Sequence, residues 1–185
     1  MIKRLFDIIM AAFALIVLGF VMVGVAIAIK IGDTGPVLFR QRRIGRSCQE
    51  FTIFKFRTMV VNAERLGGHS TASDDRRITK IGKVLRKTSL DELPQILNVL
   101  RGDMSIVGPR PDVPAQQQEY TAEQWKMRHS VRPGITGLAQ AKLRSSATPQ
   151  ERLQLDLEYV DNATVVNDIK IIARTVRQVL FKGGF

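Results

Sequence analysis

Polarity along the chain changes sharply after about thirty residues. Ile8 to Ile29 is a run of 22 residues without a single charge. As a helix this run would be roughly 33 Å long at about 1.5 Å per residue, close to the ~30 Å hydrocarbon thickness of a bilayer. It exceeds the apolar core of a signal peptide, about 7–15 residues, and Asp7 stands between it and the basic pair Lys3-Arg4. The pattern therefore predicts a membrane-embedded helix over residues 1–32 and a separate domain over 33–185. Lys3 and Arg4 precede the run; Lys30, Arg40, Arg42, Arg43 and Arg46 follow it. Under the positive-inside rule both flanks ask for the cytoplasmic side. A single span satisfies one flank and a re-entrant helix satisfies both. Gly19 and Gly24 are the weak helix positions at which a re-entrant helix would bend. Local physics leaves the two topologies open.

Beyond the run the periodicities become short and mixed. Val37-Leu38-Phe39 and Phe51-Thr52-Ile53-Phe54 flank a turn at Gly45, which predicts a β-hairpin. Phe54 to Met59 alternates apolar and polar positions, so Lys55 and Arg57 are expected on one strand face. Gly67 to Asp75 reads as a polar loop. Ile78, Ile81, Val84 and Leu85 recur at helical spacing, with Lys80, Lys83, Arg86 and Lys87 on the other side. That basic amphipathic helix suits either a membrane interface or an ordinary core. Leu93, Ile96, Leu97 and Leu100 form the apolar face of a further helix, and Arg101-Gly102-Asp103 closes it. Its start reads two ways: Ser89 and Glu92 fit a capping box, or Asp91 is the N-cap with Pro94 in the first turn. Pro149–Tyr159 and Val165–Leu180 predict two more helices, the second with Val166, Ile169, Ile172, Val176 and Val179 on one side. Asp156, Asp161 and Asp168 are the acids here; Asp156 and Asp168 adjoin apolar positions and can point inward, although such acids are more often solvated. The fold class expected is α+β and mainly helical. An embedded helix joins a compact domain with interfacial amphipathic helices and a small β-hairpin.

Composition narrows the chemistry. The 185 residues carry 28 Lys+Arg against 17 Asp+Glu, a formal net charge of +11. One cysteine, Cys48, and two histidines, His69 and His129, make neither a disulfide scaffold nor a zinc site. A basic chain wants an anionic partner: nucleic acid, an anionic membrane surface or a phosphorylated substrate. Three features could carry chemistry. Asp91 and Glu92 are adjacent carboxylates at a helix start, readable as a cap and dipole partner or as catalytic acids. Arg110 is bracketed by Pro109 and Pro111, which stiffens the backbone presenting it and suits phosphate capture. Arg132-Pro133-Gly134-Ile135-Thr136-Gly137 reads as a second stiff loop whose glycines would admit a ligand closely.

These residues, in order, carry a resemblance. Lys3-Arg4-Leu5-Phe6-Asp7, Phe54-Lys55-Phe56-Arg57-Thr58-Met59, Leu90-Asp91-Glu92-Leu93-Pro94-Gln95, the stretch from Asn98 to Pro111, the stretch from Arg128 to Gly137 and Tyr159-Val160 span nearly the whole chain. Together they resemble the monotopic bacterial phosphoglycosyl transferases, in their small form that holds only the catalytic domain. The resemblance implies transfer of a sugar 1-phosphate from a UDP-sugar to polyprenol (undecaprenyl) phosphate, releasing UMP. Such a step begins polysaccharide or glycoconjugate assembly, on the cytoplasmic face of the bacterial inner membrane.

The resemblance also assigns roles. Asp91 would be the nucleophile and Glu92 a ligand for Mg2+, with Asp168 a further acid in the metal set. Arg86 would meet the polyprenol phosphate, and Lys55 and Arg110 the phosphates of the donor. Arg57, grouped with Lys55, and Arg132, in the second stiff loop, complete the substrate-binding candidates. One departure stands out: family members commonly carry Ser-Pro in mid-helix, where this chain has Gly19-Phe20. A glycine-based bend and a straighter helix both remain open there. The alternative from another class is a non-catalytic, membrane-anchored basic module for anionic lipid or nucleic acid. No recognition-helix pattern and little aromatic interleaving argue against nucleic acid as a partner, and nothing in the sequence opposes a homo-oligomer.

Overall fold

The computed structural model describes residues 1–63, 75–143 and 148–182. The expected polar loop, save Asp75, lies outside the described residues, as do His69 and the side chain of Val179. The first element, α1 (Ile2–Gly32), is one helix that runs through Gly19-Phe20 without a break. It is long and apolar enough to cross a membrane, yet it is not detached from the domain. Ala11 packs with Ile53, Ile96, Val99 and Met104, flanked by Ala14 and Leu15. Two turns on, Met22, Val25, Ala26 and Ile29 pack with Phe56 and Leu85. The spacing of three to four residues gives one inward seam. Phe13, Ile16, Phe20, Val23 and Ile27 point away and are exposed.

The N-terminal end of α1 is tied to the domain by hydrogen bonds. Lys3 Nζ donates to Asp168 Oδ2 at 2.5 Å and to Ser105 Oγ at 2.8 Å. Arg4 donates to the carbonyls of Val99 and Leu100. Asp7, out of place in an apolar helix by sequence, is buried and accepts from Ser105 Oγ at 2.8 Å and from Ile106 N–H at 3.0 Å.

The hairpin forms as expected: β1 (Leu38–Ile44) pairs antiparallel with β2 (Glu50–Phe56), from Leu38 opposite Phe56 to Ile44 opposite Glu50. The basic amphipathic helix is α2 (Lys80–Thr88), capped by Thr79 Oγ1 accepting from Gly82 N–H. Its inward face is Gly82 and Leu85, whereas Val84 is 58% exposed. Neither predicted start of the next helix is realised. Ser89 takes a left-handed conformation, φ 57°, and ends α2. Leu90–Glu92 then forms a 3-10 turn, and α3 (Gln95–Arg101) begins only after Pro94. Gly102, at φ 99°, closes α3 as predicted.

The two stiff loops lead out of and into a second sheet that the sequence pattern does not announce. β3 (Ser105–Val107) pairs parallel with β4 (Gly134–Thr136), and α4 (Ala122–Arg128) lies between them in sequence. Glycine is required here for backbone packing. A Cβ on Gly134 would lie 2.1 Å from the Gly108 nitrogen, and one on Gly108 would lie 2.3 Å from the Arg132 carbonyl.

The remaining helices are α5 (Leu138–Leu143), α6 (Pro149–Asp161) and α7 (Val165–Lys182). Val107, Leu138, Ala141, Tyr159 and Ile171 form the core they share. Of the apolar side expected of α7, Val166, Ile169 and Val176 are at least half exposed, while Ile172 packs on the core. Asp168 and Ile171 face in instead, because Asp168 meets Lys3 and Tyr159. Asp156 is buried too, so both acids take the inward reading rather than the commoner solvated one.

One buried side chain joins α3 to the hairpin. Asn98 Oδ1 accepts from Phe54 N–H at 3.0 Å, and its Nδ2 donates to the Thr52 carbonyl at 2.8 Å. Asn98 thus satisfies the two edge groups of β2 that flank Ile53, as a neighbouring strand would. Replacing it with alanine leaves a buried donor and acceptor unpaired, at about 1–3 kcal/mol each. Asn98→Ala is expected to lose roughly 2–4 kcal/mol in denaturant unfolding in detergent. A loss under about 1 kcal/mol would show that this joint contributes little.

Candidate active site

The site forms where β2, the turn after α2 and the Pro109–Asp112 loop converge. Lys55 follows Phe54 on β2, so the Asn98 joint fixes its place relative to α3. The 3-10 turn at the foot of α3 carries Asp91 and Glu92. Lys55 Nζ and Arg110 Nη2 both donate to Glu92 Oε1, at 2.7 and 2.9 Å. The Glu92 and Lys55 side chains are 14% and 16% exposed, and that of Arg110 is 37% exposed. Both cations fall on one oxygen, which leaves Oε2 without a hydrogen-bond partner among the described residues. Asp91 beside it makes no hydrogen bond to the described residues. A narrow cleft lined by Arg43, Ile53, Lys55, Gln95, Arg110, Pro111 and Gly134 opens next to the pair.

Electrostatics separates the two carboxylates. Burial works against the Glu92 charge, but Arg110 and Lys55 outweigh it and hold the group down to about 2. Burial, and then the Glu92 charge, push Asp91 up to about 6, against the pull of Lys55, Arg110 and Arg86. Lys55 is itself lowered by burial, partly offset by Glu92, while Glu92 raises Arg110. One carboxylate is neutralised by protein cations. The other is left ionisable near neutrality and unpartnered, as an attacking group requires.

The sequence profile of the bacterial sugar transferases matches residues 1–182. This chain belongs to that family. Within this bacterial sugar transferase family, EpsL of Bacillus subtilis, an uncharacterized sugar transferase, is 42% identical over 98% of this chain and 89% of its own. The exopolysaccharide production protein PSS of Rhizobium leguminosarum is 43% identical over 99% and 98%. UDP-glucose:undecaprenyl-phosphate glucose-1-phosphate transferase of Escherichia coli is 42% identical over 99% of this chain but only 40% of its own. The chain spans nearly all of the first two relatives and less than half of the third.

For this member of the sugar transferase family, the structure sorts the sequence-predicted residues into two groups. Asp91, Glu92, Lys55 and Arg110 come together. Arg86 lies on the same side: its charge is felt by Asp91, and its Nε donates to Thr58 Oγ1 at 3.0 Å. That contact is possible because Gly82, one turn earlier, abuts the Thr58 carbonyl, which a Cβ would meet at 2.0 Å. The other three candidates have partners elsewhere. Arg57 is buried against Asp33, which its Nη2 meets at 3.1 Å on the backbone and 3.4 Å on the carboxylate. Arg132 Nε donates to the Gly102 carbonyl at 2.8 Å and so closes the end of α3. Asp168 belongs to the Lys3–Tyr159 network. No cluster of three or more potential metal ligands occurs among the described residues.

Arg43, which the sequence grouped with the membrane-facing arginines, lines the cleft instead. Its Nη1 donates to the Pro111 carbonyl at 2.9 Å and its Nη2 to Gln41 Oε1 at 2.6 Å. Hairpin parity carried the signal: with Phe39 opposite Lys55, the side chains of Phe39, Gln41 and Arg43 share the face of Lys55.

Asp91 makes the site costly to fold. Its folded-state value lies above the ordinary 3.8, so stability is greatest with the group protonated and is lost as pH rises through about 6. Asparagine mimics the protonated form. In metal-free buffer at pH 7.5, Asp91→Asn is expected to melt above the wild type by roughly 2–4 °C, as about 1 kcal/mol gives in a chain of this size. The gap should close as pH falls from 6 towards 4. A pH-independent gap would contradict the assignment.

Proposed function

We propose that the chain transfers a sugar 1-phosphate from a UDP-sugar to undecaprenyl phosphate and releases UMP, through a covalent phosphosugar on Asp91. The observation that carries this reading is the unpaired Asp91 beside a Glu92 already neutralised by Lys55 and Arg110. The name of the Escherichia coli relative supports the substrate classes.

In the first step an Asp91 carboxylate oxygen attacks the phosphorus that bears the sugar. The bond from that phosphorus to the bridging oxygen breaks, and the electron pair leaves with UMP. This forms an acyl phosphate and divides one transfer between two anions into two steps. Arg110 and Lys55 hold the donor phosphates and offset the charge that builds on the leaving group. In the second step a phosphate oxygen of undecaprenyl phosphate attacks the same phosphorus, and Asp91 leaves as a carboxylate. Arg86, on α2 beside the site, holds the acceptor phosphate.

The donor set suits Mg2+, which takes oxygen ligands, typically one or two carboxylates completed by substrate phosphates. Glu92 would hold it through the free Oε2, and the ion would neutralise diphosphate charge. Asp168 is left out of that set, since Lys3 and Tyr159 occupy it.

The long apolar helix supports a membrane location for this chemistry. Lys3 and Arg4 at one end of α1 bond to the domain, and Lys30 at the other donates to the Thr34 and Gly35 carbonyls that follow the helix. The unbroken helix would therefore lie along the cytoplasmic face of the inner membrane with Phe13, Ile16, Phe20, Val23 and Ile27 in lipid. The exposed Val84 of α2, set among lysines, would sit in the same interface.

The test is UMP release from UDP-sugars in the presence of undecaprenyl phosphate and Mg2+. The wild type is expected to turn over, Asp91→Asn to lose at least about 10³-fold in kcat, and Arg110→Ala to raise the donor KM by roughly 10- to 100-fold. Near-native turnover of Asp91→Asn would remove the nucleophile from the account.

A further inference from the structure

We infer that Arg128 is the positioning residue for Arg110, an inference that rests on reading Arg110 as a holder of the donor phosphates. The loop Pro109-Arg110-Pro111-Asp112 contains two residues without a backbone N–H and belongs to no helix or strand. It is fixed through its carbonyls, all four of which accept a hydrogen bond from outside the loop. Gly134 N–H donates to Pro109 at 2.9 Å, Arg128 Nη2 to Arg110 at 2.8 Å, Arg43 Nη1 to Pro111 at 2.9 Å and Ile44 N–H to Asp112 at 2.9 Å. Three of these four donors stand on or immediately beside the hairpin and β4. Arg128 alone reaches the residue that carries the site's cation.

Its own place is strongly determined. The Arg128 side chain is 1% exposed. Nη1 donates to the Asp112 carboxylate, so one guanidinium grips the loop on both sides of Pro111. Nε and Nη2 also donate to Asp156 Oδ2 on α6, at 3.0 and 2.8 Å. Asp112 further faces Tyr120 Oη at 3.3 Å and His129 Nε2 at 3.4 Å. Arg128 does not line the cleft. It meets the loop at the Arg110 carbonyl and the Asp112 carboxylate, and the first of these is the backbone of the residue that reaches Glu92. The planar guanidinium spreads its donors along a rigid fork that spans a carbonyl and two carboxylates, a reach that the compact ammonium of lysine does not reproduce. A misplacement on the order of 1 Å in such a positioning group is costly to a transfer reaction.

The experiment is a double-mutant cycle in UMP release by the full chain in detergent, using Arg128→Lys, Arg110→Ala and the double variant. Arg128→Lys alone is expected to raise the donor KM about tenfold or more, with the KM for undecaprenyl phosphate within twofold of wild type. In the Arg110→Ala background the same change should raise the donor KM less than twofold, because the group it positions is gone. Equal fold-changes in both backgrounds, or a matching rise in the acceptor KM, would overturn the inference and leave Arg128 a general stabiliser. Should Arg128→Lys not fold, Asp156→Asn removes one anchor, keeps the guanidinium and runs the same cycle with the same criteria. A wild type without turnover would instead refute the transferase reading itself.

Discussion

The structure depends on a carboxylate that is taken out of water between two cations. Glu92 is largely buried, and a buried charge is tolerated only when paired and hydrogen-bonded. Its two partners come from opposite directions: Lys55 from the hairpin and Arg110 from the loop after β3. Each has its own fixing device. Asn98 closes the edge of β2 beside Lys55, and a set of four donated hydrogen bonds holds the carbonyls around Arg110. Asp91 is the residue this arrangement leaves over. It shares the burial and feels the Glu92 charge but receives no hydrogen bond from the described residues, so the energetic cost of the site collects on the group proposed to attack.

The helix that announces a membrane protein is part of this construction rather than an appendage to it. Ala11 sits in the same core as Ile53 and Ile96, and Ile29 in the same core as Phe56 and Leu85. The polar end, Lys3-Arg4-Asp7, is bonded to β3, to α7 and to the last carbonyls of α3. A chemistry that joins a water-soluble donor to a lipid phosphate needs its carboxylate near the bilayer. Under the proposed reaction, packing the long apolar helix against the elements that carry Lys55 and Glu92 meets that need.

Much of this was legible in the residues, and what was not has a common cause. Alternation around Gly45 announced the hairpin, and Pro109-Arg110-Pro111 announced a stiffly presented arginine. The C-terminal helices emerged close to their periodic spans. What could not be read concerns partners distant in sequence. Nothing local says that Arg57 will be taken by Asp33, Arg132 by the Gly102 carbonyl or Asp168 by Lys3, 165 positions away. The outward turn of Val166 and Ile169 follows from that last pairing, since α7 must face Asp168 inward. Parallel pairing of β3 with β4 was hidden for a similar reason. Each strand is three residues long, and its glycines serve backbone contact that only the assembled pair reveals.

The claim that ties geometry to function is the covalent step at Asp91. It is tested most directly by incubating the protein with a UDP-sugar and Mg2+ in the absence of acceptor, quenching, and measuring intact and peptide masses. The account predicts an added mass of one sugar phosphate on the peptide containing Asp91. That adduct should be removed by hydroxylamine, discharged by undecaprenyl phosphate and absent from Asp91→Asn. Turnover in a protein that shows no such adduct, or an adduct on another residue, would contradict it.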